Sequence, residues 1–296
     1  MTTTLGATDA AAASPAPERH RRLRRTHRGP APQRSRPMTW LLRVGPALSL
    51  LALWQVATVT GDSVFFPPPS KILARVHENW FSAPASSFFL TPEFWSDVVP
   101  SISRALAGLA IAVVIGITLG VIAGQWSSAA AYIDPPVNFM RSLPKPAIVP
   151  IFLLVLGASD GMRIGLIAFG CIWPILLNTM QGVRSVDPAY RETATAFHIS
   201  TPVTFFRVIL PAASPKIAAG IRVSLSLALI LMVLSEWMLA MNGLGYFLIS
   251  AQRKFQVLDL WSAIVLLGLI GYGLNVAFVA VEHRLLGWHR ATSLQS

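Results

Sequence analysis

One pentapeptide in the sequence has the pattern of a catalytic site. Gly157-Ala158-Ser159-Asp160-Gly161 matches the Gly-x-Ser-x-Gly pattern in which serine hydrolases present their nucleophile. Such a serine needs a histidine base, and the six histidines of the chain all fall in segments that we interpret as tails or loops. The pentapeptide lies between two apolar runs, where we expect a turn rather than a strand-to-helix elbow. Serine hydrolysis is therefore disfavoured.

Nucleotide hydrolysis by this chain is disfavoured as well. A P-loop cradles phosphates with Gly-Lys-Ser or Gly-Lys-Thr. None of the four lysines (Lys71, Lys145, Lys216 and Lys254) follows a glycine or precedes Ser or Thr. The lone cysteine, Cys171, allows no disulfide within the chain, and no cluster has the spacing of a metal site. We predict no catalytic residue, no cofactor and no metal on this chain.

Charged residues inside apolar stretches are the remaining candidates for function. Arg141, Lys145 and Glu236 occupy such positions, and Pro150 interrupts one of these stretches. A charge at the bilayer centre costs about 2.5 to 3.5 kcal/mol on insertion scales, so it usually faces a bundle interior or reaches the interface. Arg141 and Lys145 either reach the inner boundary or attract an anion on a transport path, and Glu236 either pairs with a neighbour or meets water. We take these four residues as candidates for a translocation path.

The composition indicates a membrane protein. Of 296 residues, 53% are hydrophobic and 12% are charged, whereas soluble domains have about 25% charged residues. Because one helix needs about 20 apolar residues to cross a bilayer, the runs predict an all-α polytopic membrane protein with six transmembrane helices. The predicted permeation domain is 38–296, with spans at about 38–61, 105–127, 136–158, 163–183, 217–240 and 260–282.

The distribution of positive charge predicts the orientation. Lys and Arg near span ends stay on the cytoplasmic side, and with the N-terminus inside, sixteen fall there against six outside. Both termini are therefore predicted to be cytoplasmic. Residues 1–37 are predicted to be a disordered basic tail, with a paired-arginine export signal as the competing interpretation. The net charge of +11 follows from this tail and the span ends, so nucleic acid is not an expected partner.

The predicted cytoplasmic loop, 184–216, is longer than a turn between two spans requires. Asp187 and Pro188 predict an N-cap and a first helical residue. Three residues then recur at helical spacing on one face: Tyr190, Ala194 and Phe197. A second helix is predicted to start at Ser200-Thr201-Pro202, and Pro211 and Pro215 are expected to stop or kink the chain beyond it. We expect a helix pair that either lies on the membrane surface or docks a cytoplasmic partner.

Several residues of this loop and of the following span resemble the EAA signature of permease subunits in ATP-binding-cassette (ABC) importers. They are Glu192, Thr193, Ala194, Leu210, Pro211, Gly220 and Arg222. Thr193 stands where the signature has alanine, and His198 stands where it has glycine. Non-glycine residues with positive φ are uncommon, although histidine is among the more tolerant. The turn after the first helix is therefore where this chain departs most from the signature.

Further segments resemble permeases for nitrate, sulfonates, taurine and related solutes, and the similarity covers about residues 101–288. These segments are Arg141-Ser142-Leu143-Pro144, Pro150-Ile151-Phe152, Val183–Pro188 and Gly243-Leu244-Gly245-Tyr246. The resemblance implies the type I, MetI-like permease fold in a bacterial-type inner membrane. It implies three protein partners besides membrane lipid: a cytoplasmic ATP-binding subunit, an extracytoplasmic solute-binding protein and a second permease copy.

The resemblance also implies a role for the loop. Loops of this kind seat in a groove of the ATP-binding subunit, so that Glu192 either pairs with an arginine of that partner or forms a local pair with Arg191. The implied function is that of a permease that forms the path for a small solute. A secondary transporter or channel without an ATPase is the alternative.

Overall fold

The computed structural model describes residues 36–61 and 64–286. Within them all regular structure is helical, in agreement with the predicted fold class. The chain divides between Leu50 and Leu51 into two compact units, and the contacts described below all lie within the second unit. The helices are α1 (Arg36–Thr60), α2 (Pro69–Trp80), α3 (Val99–Gln125), α4 (Ser127–Ser142), α5 (Lys145–Leu156), α6 (Asp160–Arg184), α7 (Pro188–Ala196), α8 (Thr201–Thr204), α9 (Leu210–Leu239), α10 (Leu244–Arg253) and α11 (Val257–Leu285).

Four helical segments of the described residues are long and apolar enough to cross a membrane. They are Phe94–Gln125, Asp160–Arg184, Thr201–Met238 and Val257–Leu285. The pair α4 and α5 adds a fifth span if the two helices are counted together, and the apolar part of α1, Val44–Thr60, is shorter. The structure is thus consistent with the six predicted spans, of which it gives four or five by length and composition.

The predicted third span, 136–158, is not one straight helix. α4 ends at Ser142, α5 begins at Lys145, and the two are bent by 100°. The residue before a proline is pushed out of the helical region, and Leu143, which precedes Pro144, is extended (ψ 129°). Pro144, the N-cap residue of α5, is extended as well (ψ 120°). Two extended residues in succession therefore separate the helices, and the backbone of this stretch changes direction inside the predicted span.

The second helix of the predicted loop continues into the fifth span, so Pro211 and Pro215 do not stop it. α8 leads through a π-turn, Phe205–Ile209, directly into α9. A proline has no N–H to donate and its ring clashes with the carbonyl four residues earlier. A π-turn just before it widens the helix and relieves this conflict. The same arrangement precedes α3, where the π-turn Phe94–Val98 is followed by Val99-Pro100.

A stripe of small residues lets the backbones of α3 and α6 approach each other closely. We call Gly108, Ala112, Gly116, Gly120 and Gly124 the glycine stripe; its members are spaced four residues apart along α3. A Cβ on Gly116 would lie 2.9 Å from the Cβ of Ile175, and one on Gly124 would lie 2.7 Å from the Cβ of Val183. Small residues at such spacing are typical of helix pairs in membranes, where association depends on close packing.

α9 completes a three-helix core against α3 and α6. The buried residues of this core are Ala105, Leu109, Ala112, Ile167, Cys171, Ile175, Leu225, Ala228, Leu231 and Met232. Gly220 of α9 allows a close crossing, because a Cβ there would lie 3.0 Å from the carbonyl oxygen of Pro174 in α6. Ser224 also ties α9 to α6, since its hydroxyl donates to the carbonyl oxygen of Cys171 at 2.9 Å.

α2 is an amphipathic helix that packs against α11. Its apolar residues Ile72, Val76 and Trp80 are buried. The polar face contributes Arg75, which donates to Asp259 of α11 at 2.6 Å. The hydrogen bond to Asp259 is the largest contribution that raises the pKa of Arg75 above its ordinary value. α2 is therefore held against the N-terminal part of α11 by both apolar packing and an ion pair.

The close approach of α3 to α6 predicts that a single methyl group on the glycine stripe is destabilising. In Gly120→Ala the new Cβ would lie 2.6 Å from the carbonyl oxygen of Leu176, so the helices must separate, at a cost of about 1 to 3 kcal/mol. Gly273→Ala is the matched control, because nothing lies within 4 Å of its Cβ position and alanine favours a helix by about 1 kcal/mol over glycine.

Thermal unfolding in detergent checks this prediction. Gly120→Ala should lower the Tm, whereas Gly273→Ala should leave it unchanged or raise it. An equal or higher Tm for Gly120→Ala would show that the two backbones are not in close contact.

Candidate functional site

The loop after α6 is built as the sequence predicts at its start. The Asp187 side chain accepts a hydrogen bond from the backbone N–H of Ala189 at 2.9 Å, and Pro188 is the first residue of α7. Ala194 is buried, whereas Glu192 and Thr193 are exposed. The N-cap and the proline therefore fix where α7 begins, shortly after the end of α6.

Large apolar side chains on this loop are exposed. Tyr190 is 59% exposed, Phe197 is 75% exposed and Phe206 is 65% exposed. We call these residues, together with the exposed Ile199 and Val203, the apolar loop set. Of the three residues predicted to share one face of α7, only Ala194 is buried. Exposed apolar groups concentrated in a short segment are typical of a surface that binds a partner.

Glu192 has no partner within the described part of the chain. Its carboxylate forms neither a hydrogen bond nor an ion pair there, and the local pair with Arg191 that the sequence leaves open is not formed. A solvent-exposed carboxylate beside exposed aromatic side chains is available for contact with another molecule.

His198 occupies the backbone conformation that the signature assigns to glycine. Its φ is +53°, in the left-handed region. The N–H of His198 donates to the carbonyl of Thr195 at 3.0 Å, and that of Ile199 donates to the carbonyl of Ala194 at 2.8 Å. These two bonds form a turn of the Schellman type, which usually ends with glycine. Both hydrogen bonds of this turn form although the residue is histidine, and the positive φ strains the backbone of His198.

The later residues of the signature do not belong to the loop surface. Leu210 and Pro211 are partly buried at the start of α9, and Gly220 is buried against α6. Arg222 forms an ion pair with Glu282 of α11. The structure thus separates the predicted coupling residues: those of α7 and its turn lie on the loop, and the others fix α9 against its neighbours.

The predicted path residues Arg141, Lys145 and Pro150 lie at or near the bend between α4 and α5. The ammonium of Lys145 donates to the carbonyl oxygen of Met140 at 3.3 Å and lies 5.6 Å from the ring centroid of Phe169 in α6. It has no carboxylate partner within residues 64–286. Arg141 and Pro150 are exposed. A cation held by carbonyls and an aromatic ring at a broken helix remains available to an anion.

Glu236 lies apart from these three residues, in a polar network near the starts of α3 and α6 and the end of α9. Its carboxylate is fully buried and accepts from Arg104 of α3 at 2.8 Å. It also accepts from the hydroxyl of Ser101 at 2.7 Å and from the backbone N–H of Gly245 at 3.0 Å. The sequence-based expectation that Glu236 pairs with a neighbour therefore agrees with the geometry.

Arg104 is the central residue of this network, and the sequence reasoning did not identify it. Its guanidinium donates to Glu236, to Asp160 of α6 at 2.9 Å and to the side chain of Asn242 at 2.8 Å. Gly243, with φ +115°, lies directly against Glu236, because a Cβ there would be 2.5 Å from Oε2. One arginine thus ties α3, α6 and α9 together and orders the turn before α10. The sequence indicates this network only by an arginine at the start of one apolar run and a glutamate near the end of another.

The buried network predicts a large loss of stability when one of its charges is removed. Glu236→Gln leaves the buried Arg104 without its closest carboxylate, and breaking a buried pair costs about 3 to 5 kcal/mol. Glu78→Gln is the matched control, because Glu78 pairs with Arg75 on the surface, where pairs contribute about 0 to 1 kcal/mol. Denaturant unfolding followed by tryptophan fluorescence measures both, and equal losses would contradict the structural role of Glu236.

The strained turn predicts that His198→Gly stabilises the protein. Glycine adopts positive φ without the steric conflict of a Cβ, and the expected gain is about 1 kcal/mol. The matched control is Tyr190→Gly in the same loop helix, where φ is helical and glycine should destabilise by about 1 kcal/mol. The Tm of the two variants should shift in opposite directions, and a fall in Tm for His198→Gly would contradict the strained turn.

Comparison with known proteins connects this geometry to a family. The profile of the family described as "Binding-protein-dependent transport system inner membrane component" matches residues 116–286. The SsuC protein of Bacillus subtilis, a putative aliphatic sulfonates transport permease, is 31% identical over 245 residues, which are 82% of this chain and 85% of SsuC. The taurine transport permease TauC of Escherichia coli is 28% identical over 250 residues (84% and 90% of the two chains). The bicarbonate transport permease CmpB of Synechococcus elongatus is 29% identical over 243 residues (81% and 87%).

Solved structures support the fold. An inward-facing structure of the MetNI methionine ABC transporter has a TM-score of 0.55 with this chain at 16% identity, covering 64% of this chain and 94% of the other. A second crystal form has a TM-score of 0.51 at 17% identity, covering 69% and 99%. The predicted MetI-like fold is thereby confirmed. The chain belongs to the family of binding-protein-dependent transport system inner membrane components, the permease subunits of ABC importers.

Proposed function

We propose that this permease carries a small anionic solute inward and that α7 with the following turn docks the ATP-binding subunit that drives transport. The observation that carries the proposal is the apolar loop set around the unpaired Glu192. Aromatic anchors that desolvate on binding, surrounded by polar groups, are typical of interface hot spots.

The sequence and the position of the loop support the proposal that ATP is hydrolysed on a separate chain. The sequence has no P-loop of the Gly-Lys-Ser or Gly-Lys-Thr kind. The loop lies between α6 and α9, two helices of the three-helix core. A partner that moves α7 therefore acts directly on the spans.

The anionic solute is supported by the bend between α4 and α5. Lys145 lacks a carboxylate partner within residues 64–286, and Arg141 and the exposed Pro150 lie near the same break. Broken helices in transporters often line the path of the solute, with positive charge facing anionic groups. The relatives named for aliphatic sulfonates and bicarbonate carry anions, and taurine bears a sulfonate, which agrees with this choice.

The remaining partners follow from the family. We propose that an extracytoplasmic solute-binding protein delivers the solute, that two permease copies pair, and that both termini are cytoplasmic. Glu236 belongs to the proposal only as a residue that fixes the outer end of the path, because its carboxylate is fully buried by its own subunit.

Co-purification of the permease with its co-expressed ATP-binding subunit tests the docking proposal. Phe197→Ser and Glu192→Arg should each reduce the amount of bound ATP-binding subunit at least tenfold, because they remove an exposed aromatic contact and reverse an exposed charge. Phe255→Ser is the matched control, since Phe255 is 82% exposed and lies in the turn between α10 and α11, away from the loop.

Two results would count against this function. If both loop variants retain the ATP-binding subunit and its solute-stimulated ATP hydrolysis at the level of the control, the loop is not the docking element. Retention of solute uptake without any ATP-binding subunit would instead favour a secondary transporter or channel.

A further inference from the structure

A polar cleft lies where α3, α4, α6 and α7 meet, separate from the bend at Lys145 and from the buried network. Its volume is about 650 Å³. Gln125 at the end of α3, Asp134 of α4, Arg184 at the end of α6 and Arg191 of α7 line it. The cleft therefore borders α7 of the proposed docking loop, but no residue of the apolar loop set lines it.

The three charged side chains of this cleft are not paired with one another. Arg184 donates one hydrogen bond, to the carbonyl oxygen of Ala123 at 3.2 Å. Arg191 and Asp134 form no side-chain hydrogen bond or ion pair with any other described residue. By contrast, Arg75, Arg104 and Arg222 each form an ion pair with a carboxylate. Two guanidinium groups and one carboxylate thus face the same space without satisfying each other.

The cleft lies at one end of two helices that are long and apolar enough to span a membrane. Both α3 and α6 end beside it, at Gln125 and Arg184, where lipid head groups are expected. Trp126 and Tyr132 flank it and are 59% and 83% exposed. Tryptophan and tyrosine are enriched at this level of the bilayer. A ligand here would come either from the membrane surface or from the adjoining solution.

We infer that this cleft binds the head group of a phosphatidylethanolamine molecule. Arginine binds phosphate oxygens through strong charge-assisted hydrogen bonds, and basic pockets between spans bind lipid head groups. Arg184 and Arg191 hold the phosphodiester, and Asp134 holds the primary amine. One phosphodiester has enough oxygens to accept from both arginines, and the single carboxylate of the cleft accepts from the single ammonium of this head group.

A bound head group would connect the loop to the spans. Arg191 precedes Glu192 in α7, while Arg184 is the last residue of α6. One phosphate held by both arginines fixes the orientation of α7 relative to α6. The inference rests on the proposed function only in assigning this end of the bundle to the cytoplasmic leaflet.

Native mass spectrometry of the delipidated full-length chain tests the inference. Dioleoylphosphatidylethanolamine, dioleoylphosphatidylglycerol, glycerophosphoethanolamine and inorganic phosphate are each added at equal concentration. Wild type should bind one phosphatidylethanolamine in preference to the other three. Arg191→Gln should weaken this binding at least tenfold, and Asp134→Asn should abolish the preference for phosphatidylethanolamine over phosphatidylglycerol.

Arg207→Gln is the matched control, because Arg207 is an exposed arginine of the same loop that does not line the cleft and has no side-chain partner among the described residues. It should bind lipid as wild type does. The Tm of each variant without lipid should match that of wild type, since neither Arg191 nor Asp134 has a partner to lose.

Two results would overturn the inference. Equal lipid binding by Arg191→Gln and Arg207→Gln would place the lipid elsewhere. Binding of inorganic phosphate or glycerophosphoethanolamine as tight as that of the lipid would identify a soluble phosphate ligand. Neither result bears on whether the ATP-binding subunit docks on the loop, so the two proposals fail independently.

Discussion

The contact between the backbones of α3 and α6 is the constraint on which the other features depend. Helices in a bilayer gain little from burying apolar surface against each other, because lipid is apolar too, and close packing of small residues has to hold them. The glycine stripe provides that packing along most of α3. α9 then packs on this pair, and its Gly220 and Ser224 contact α6 directly. The loop that connects α6 with α9 is consequently attached at both ends to a fixed core.

The two ends of this core are organised differently. At the end away from the loop, Arg104 and Glu236 form a buried ion pair, and Arg104 also binds the exposed Asp160, so that three helices and the turn before α10 are held together. At the other end, α7 is held by an N-cap and by the buried Ala194, while its aromatic side chains remain exposed. The satisfied network resists change, and the exposed loop has contacts left to form. This asymmetry fits a bundle that a partner moves from the loop side.

Local features of this fold could be predicted from the sequence, and long-range ones could not. The N-cap at Asp187 and the departure at His198 depend on neighbouring residues, and the structure agrees with both. The pairing of Arg104 with Glu236 joins residues 132 positions apart, which no local pattern reveals. The bend at Leu143-Pro144 was indicated by its prolines, but its angle of 100° was not. The glycine stripe is a four-residue repeat in the sequence, but the repeat alone does not show that α6 is the helix packed against it.

Photo-cross-linking from position 197 tests most directly whether the exposed loop contacts the ATP-binding subunit. p-Benzoylphenylalanine replaces Phe197 in one permease sample and Phe255 in another, and each is irradiated in membranes with the co-expressed ATP-binding subunit. We expect a cross-linked product of permease and ATP-binding subunit from position 197 and none from position 255. Absence of the product at 197, with an assembled and active transporter, would contradict it.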